Sequence, residues 1–298
     1  MILTIVKINV SLLNMDKDAD LLELSSSEQI PIAGRLFDDC NCKEIKLSNI
    51  ILSREAVRSI PDHTESLTIN CNQPYLSELS TKKLAISFDA DYFNVPTKVS
   101  ELTVFSRIST IYCSDNLEKF TLHSDSTVNL MSCNNLNELV LTDTKGRVYG
   151  DFMEYLGCLS LKYNIYEILY NYNIIEGIHK YVSLFKNIYE YNGFLNRDIL
   201  RNLPNVRKIK SRDTIGGITI DDIPDSLEDM NFYIVYTNSS DILDRKPNIK
   251  RIYHYEETMK PDDLVKRYPD VYFYLVYRCD IIRRHNSKLV TLRQLSQQ

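Results

Sequence analysis

Apolar residues recur along this chain in the spacing L-x-x-L-x-L. The pattern opens with CKEIKL at Cys42 and returns as TESLTI at Thr64, TKKLAI at Thr81, VSELTV at Val99, LEKFTL at Leu117, LNELVL at Leu136 and LGCLSL at Leu156. Looser copies begin at Phe185 (FKNIYE), Val206 (VRKIKS), Leu227 (LEDMNF), Ile249 (IKRIYH) and Val271 (VYFYLV), and two degenerate ones precede the series, IVKINV at Ile5 and ADLLEL at Ala19. From Cys42 onward the spacings are 22, 17, 18, 18, 19, 20, 29, 21, 21, 22 and 22 residues. Alternation within each copy predicts a short strand whose fourth and sixth positions point inward. One such strand cannot bury its apolar face alone, so the series predicts stacked repeats with a parallel sheet along one side.

Punctuation recurs at a fixed phase. IPDHT, VPTKV, SDNL, CNNL, LPNV, IPDSL, KPNI and YPDV stand just before the strands, and Pro, Asn and Asp are turn formers. Repeats of 17 to 19 residues leave room for irregular or tight helical returns, and those of 21 or 22 for short helices. NRDILRNLP, SSDILDRKP and PDDLVKRYP each combine a polar N-cap, an apolar stripe and a proline stop. The 29-residue interval holds Ile165, Ile168, Leu169 and Tyr172 at helical spacing, then Ile178, Tyr181 and Val182. It reads as one enlarged turn or as a join between two arrays.

The stretch IPDHTESLTINCNQPY, with Ile60-Pro61, Leu67, Ile69 and Asn72-Gln73-Pro74, resembles the leucine-rich-repeat superfamily and, more narrowly, its FNIP-repeat branch, written I-P-x-S-V-x-x-L-x-L and then F-N-Q-P-I. VPTKVSELTVF and IPDSLEDMNFY carry the first half of that motif. The resemblance implies an α/β, leucine-rich-repeat-like solenoid with a parallel sheet. Irregular coil is expected to back it in the first half and short helices in the second. All of residues 1–298 form one array: a cap with degenerate turns over 1–41, regular short turns over 42–161, a helical enlarged turn over 162–184, longer turns over 185–279 and a C-terminal cap over 280–298. Such proteins occur in amoebae and large DNA viruses, sometimes behind an F-box, which implies a ubiquitin-ligase substrate receptor as an alternative role. EQIPIAGRLFDDC shares an Ile-Pro with an F-box and little else. In the superfamily the ninth position bonds backbone of the neighbouring turn; here it holds Asn72, Asp89, Asp125, Thr144, Asn164, Thr214 and Cys279, with Ile50, Arg107 and Val235 interrupting.

Composition narrows the chemistry. With 44% apolar and 25% charged residues the chain is globular, and a net charge of -5 supplies no general attraction to nucleic acid or membranes. Seven scattered cysteines in a chain of 298 residues point to reduced thiols in the cytoplasm rather than a disulfide framework. The opening MILTIVKINVSLLNM lacks a basic leader and reads as a strand, and no apolar run reaches a membrane-spanning length. His63, His123, His179, His254 and His285 fall in no metal-binding spacing; Cys40-Asn41-Cys42 reads as ordinary thiols, and IGGIT at 215–219 as a turn. No cofactor, metal, small-molecule substrate or catalytic group is expected, and the chain is read as not an enzyme.

The outward strand positions carry the functional signal. Early in the chain they are small and polar: Ser66, Thr68, Asn70, Lys83, Ala85, Ser87, Lys119 and Thr121. Later they turn aromatic and charged, and 17 of the 20 tyrosines lie at or after Tyr149. Tyr and Arg dominate binding hot spots. The expected protein-binding residues are Tyr189, Tyr191, Lys208, Lys210, Arg212, Tyr233, Arg251, Tyr253, Tyr255 and Tyr277, with Asp229 and Phe273 on the same face. The expectation is a non-enzymatic scaffold presenting a concave Tyr/Arg surface to a protein partner. Two alternatives compete. Later strands buried on both faces would hide the tyrosines. VRKIKSRD and IKRIYHY interleave rings and cations in a way that suits single-stranded nucleic acid, against Asp229, Glu256 and Glu257. In the tail IIRRHNSKLVTLRQLSQQ, Leu289, Leu292 and Leu295 share one helical face and predict a capping helix.

Overall fold

The structure, a computed structural model, describes residues 2–6, 20–38, 40–163, 172–211, 217–232, 234, 237–254, 261–276 and 289–291. It is α/β, rich in parallel strands with a few short helices. The chain divides into two compact units, Met1–Leu156 and Gly157–Gln298, and the break falls beside the 29-residue interval.

The first unit is built on β1 (Ile2–Val6), β2 (Leu21–Ile32), β3 (Glu44–Leu52), β4 (Ser66–Ile69), β5 (Lys83–Ile86), β7 (Glu101–Val104), β9 (Lys119–Leu122) and β11 (Glu138–Leu141), paired in that order and all parallel. The register places Ile45, Leu67, Leu84, Leu102, Phe120 and Leu139 side by side in one buried row. Leu47, Ile69, Ile86, Val104, Leu122 and Leu141 form a second. These are the fourth and sixth positions of the repeat. Burying each such side chain contributes about 1.5–3 kcal/mol, which only a stacked neighbour makes available. ADLLEL joins the same rows through Leu22 and Leu24.

The return segments depart from expectation. Instead of irregular coil, residues 90–150 carry a second parallel ladder: β6 (Ala90–Asn94), β8 (Ile108–Tyr112), β10 (Thr127–Met131) and β12 (Arg147–Gly150), joined in the order β12-β10-β8-β6. Phe93, Ile111 and Leu130 are buried register partners in it, as are Val128 and Val148. Segments such as ISTIY and TVNLM contain β-branched residues, and in TVNLM buried Val128 and Leu130 alternate with exposed neighbours, which suits a half-buried strand. Gly150 closes β12 at φ 155°, where a Cβ would collide with the Leu130 carbonyl oxygen. Earlier returns differ: α1 (Arg54–Arg58) is capped by Ser53, whose Oγ accepts the Ala56 N–H at 3.2 Å, and Leu76–Glu78 forms a 3-10 turn.

The second unit orders β13 (Cys158–Leu161), β14 (Glu190–Asn192), β15 (Lys208–Lys210), β16 (Asp229–Asn231), β17 (Arg251–His254) and β18 (Tyr272–Val276) in parallel. Its buried row is Leu159, Tyr191, Ile209, Met230, Ile252 and Phe273. After α2 (Tyr172–Val182), in which Ile178, Tyr181 and Val182 are buried, the returns carry α3 (Arg197–Arg201), α4 (Ser239–Arg245) and α5 (Pro261–Arg267), inside the three segments predicted to be helical. The tail corrects the sequence reading: β19 (Leu289–Thr291) pairs antiparallel with β18, so Leu289 begins a strand and not a capping helix. An added strand satisfies backbone groups that the last parallel strand would otherwise expose.

The punctuation has a mechanical role. In most repeats the N–H at the first position of the pattern donates to the carbonyl three residues back: Thr64 to Pro61 at 3.0 Å, Val99 to Pro96 at 3.0 Å, Leu117 to Ser114 at 3.1 Å and Leu227 to Pro224 at 3.1 Å. The residue just before that position ties two repeats together. Asn116 Nδ2 donates to the Thr97 carbonyl at 2.5 Å, Asn135 to Asp115 at 2.5 Å and Asn248 to Asp225 at 2.8 Å, while Ser226 Oγ reaches Pro204 at 3.0 Å. Gln73, the middle of the Asn-Gln-Pro motif, is buried; its Oε1 accepts Leu52 N–H at 2.8 Å and its Nε2 donates to Ile50 O at 2.5 Å. The ninth position does less of this than expected: Asp89 accepts Arg107 N–H at 2.9 Å, but Asn72 is exposed and the buried Thr144 hydroxyl has no partner. Asn164, Thr214 and Cys279 lie outside the described residues.

Cys113 and Cys133 lie side by side with Cα atoms 5.2 Å apart, whereas Cys40, Cys42 and Cys71 are buried and Cys158 is half-buried. The separation of 20 residues is one repeat, and stacking brings residues one repeat apart side by side. Among the described residues no helix is long and apolar enough to cross a membrane.

Candidate protein-binding face

The outward face of the second unit is built from residues flanking the buried row. One outward register row runs Glu190, Lys208, Asp229, Arg251, Tyr272. Its charges alternate in sign, and neighbours pair: Lys208 Nζ lies 3.5 Å from Glu190 Oε2, and Arg251 Nη1 lies 3.2 Å from Asp229 Oδ2. Just before the strands, Lys250 Nζ lies 2.8 Å from Glu228 Oε2. That hydrogen bond holds the Glu228 carboxyl below its usual range, and the Asp229 carboxylate pushes the Arg251 guanidinium up. Opposite charges on adjacent strands favour this register over a slipped one.

Beyond the charged row, Lys210 is exposed beside Asn192 and Asn231. Tyr253 and Tyr274 are register partners whose rings stack at 4.8 Å and 16°. Tyr272 is 45% exposed and Tyr189 40%. Tyr189 also borders a shallow cavity of about 550 Å³ with Arg207, Asn187, Asn205 and Ser226.

Four expected contact residues therefore share this face, Lys208, Lys210, Arg251 and Tyr253, whereas Tyr189 is exposed just before β14, level with Arg207, Glu228 and Lys250. Tyr191 is not on the face. It is fully buried, its hydroxyl donates to the Phe194 carbonyl at 2.7 Å, and burial raises its phenol pKa well above the ordinary value. The copy here starts at Ile188 rather than Phe185, because Tyr191 pairs with Leu159 and Ile209 in the core row. A similar one-residue slip reverses the last strand. Phe273, expected outside, is buried against Ile252, and the outward residues are Tyr272 and Tyr274, which sequence reasoning missed. Arg212, Tyr233, Tyr255 and Tyr277 lie outside the described residues.

In the first unit the corresponding row is Ser66, Lys83, Glu101, Lys119 and Glu138, with ion pairs of 3.2 Å for Lys83–Glu101 and 2.8 Å for Lys119–Glu138. Its aromatic content is smaller: Phe105 stacks on His123 at 4.5 Å. The ionisable cluster with the most catalytic look is in the second unit. His179 Nε2 accepts from Asn196 Nδ2 at 2.5 Å, leaving Nδ1 3.6 Å from Asp198 Oδ2. Asn196 simultaneously caps α3 by accepting Ile199 N–H at 2.9 Å, so the cluster fastens α2 to α3. No protein-family model, curated protein or solved structure matches the chain.

Proposed function

We propose that the chain is a leucine-rich-repeat-like solenoid of the FNIP-repeat kind, acting as a non-enzymatic cytoplasmic scaffold for a protein partner. The observation that carries the reading is the aromatic outward face of the second unit, where Tyr272 is exposed and Tyr253 stacks on Tyr274. Rings held on a parallel ladder are ordered before the partner arrives, which lowers the entropy cost of association. Sequential strand order and one-repeat hydrogen bonds support the solenoid part. Tyr253, Tyr272 and Tyr274 are the anchors; Lys208 and Arg251, already paired with acids, act as a rim. The same pairing leaves the face nearly balanced in charge, which disfavours a polyanion.

The test compares the wild type with a Tyr253→Ala/Tyr272→Ala variant in affinity capture, quantifying the partner by mass spectrometry. The expected result is at least a tenfold loss of captured partner with an unchanged circular-dichroism spectrum. Undiminished capture overturns the reading, and unfolding of the variant assigns these rings to the core instead.

A further inference from the structure

The second ladder of the first unit ends in an open edge. Among the described residues β6 pairs with β8 alone. The preceding repeat returns through Pro74 and the 3-10 turn Leu76–Glu78, so it offers β6 no strand. In a parallel pair, alternate residues direct their N–H and C=O groups to opposite sides, so part of the β6 backbone faces away from β8. A cavity of about 420 Å³ lies there, between Gln73, Pro74 and Leu76 of the earlier return and Asp89, Asp91 and Tyr92 of the β6 segment.

The lining has a definite chemistry. It contains two carboxylates and no Lys, Arg or His. Asp89 uses Oδ1 to accept Arg107 N–H at 2.9 Å, and Asp91 is exposed. Tyr92 is 64% exposed and presents a ring face to a cation or an aliphatic stem. Antiparallel self-pairing of β6 centred on Ala90 would set Asp89 of one copy against Asp91 of the other, and like charges on adjacent strands repel. The edge therefore disfavours a second copy and favours an oppositely charged strand.

We propose that the β6 edge is a second docking site, which takes an extended basic peptide by strand addition. Main-chain hydrogen bonds to the free edge hold it, and a Lys or Arg faces Asp91 with the neighbouring side chain over Tyr92. The site is separate from the tyrosine face of the second unit, so either can fail alone.

The probe is a blocked, fluorescent hexapeptide alternating lysine and valine, followed by anisotropy with the full chain. Two controls accompany it: the glutamate–valine counterpart, and the lysine peptide N-methylated at alternate residues. The lysine peptide is expected to bind, and each control to bind at least tenfold more weakly. Asp91→Lys, at an exposed position, is expected to weaken the lysine peptide at least tenfold with an unchanged circular-dichroism spectrum. Amide resonances of residues 89–94 are expected to shift on titration. No binding at millimolar peptide overturns the proposal. So does binding indifferent to N-methylation, which marks diffuse charge attraction, or binding unaffected by Asp91→Lys.

Discussion

Two stretches of the molecule solve the same problem differently. Residues 81–155 return from each core strand through another strand, whereas residues 188–271 return through short helices. Repeat length does not explain the contrast. Leu84 pairs with Leu102, and Tyr191 with Ile209; both steps are 18 residues, yet the first holds β6 and the second α3. The difference lies in local chemistry. Asn196 caps α3 through Ile199 N–H, Asp198 and Arg201 suit its two ends, and Pro204 follows. ISTIY and TVNLM instead offer β-branched residues, with buried Val128 and Leu130 in alternation in the second. The inward ladder sets the repeat, and short-range signals choose the path back.

The sharpest way to break this comparison is to spoil the return strand. Val128→Pro in β10, which has β8 and β12 on either side, removes a ladder donor. Leaving the facing acceptor unpaired is expected to cost about 1–3 kcal/mol, read as a lower denaturation midpoint. An unchanged midpoint would mean the second ladder contributes nothing. Next in size is the cap: Asn196→Ala should cost about 1 kcal/mol and speed amide exchange in Arg197–Arg201 without touching β6 to β12. Equal exchange in both variants and wild type would remove the cap as the deciding signal.

The smallest effect is electrostatic and belongs to the helix-backed stretch. Burial pushes the Asp222 carboxyl up, but hydrogen bonds from Arg197 at 2.8 Å and Thr219 outweigh it and hold the pKa below the ordinary value. A depressed folded pKa contributes stability that is complete above the unfolded value, about 4, and is lost as pH falls through the folded one. Asp222→Asn should therefore lower the denaturation midpoint slightly at pH 7, with the gap to wild type closing below about pH 3. A gap that persists in acid would assign the effect to packing.

Much of the fold was legible because the repeat is written at short range. The rows through Leu102, Phe120 and Leu139 and the three short helices needed only apolar spacing and polar ends. The second ladder was missed because its two-residue alternation is short and lies between stronger L-x-x-L-x-L copies. The face was legible only in part. Lys208, Lys210, Arg251 and Tyr253 were found from outward positions, but a strand slipped by one residue turns every side chain over. That slip exchanged Phe273 for Tyr272 and Tyr274, and a frame displaced by three put Tyr191 outside.

Apolar spacing, turn residues and helix caps act over a few neighbouring positions, so the chain alone determined that short parallel strands recur and where three helices form. Which of two adjacent residues faces the core depends on pairing with a strand about twenty positions away, as do the juxtaposition of Cys113 and Cys133, the alternating ion pairs and the open edge of β6. Those contacts join residues that no local pattern relates, and only the stacked tertiary structure decided them.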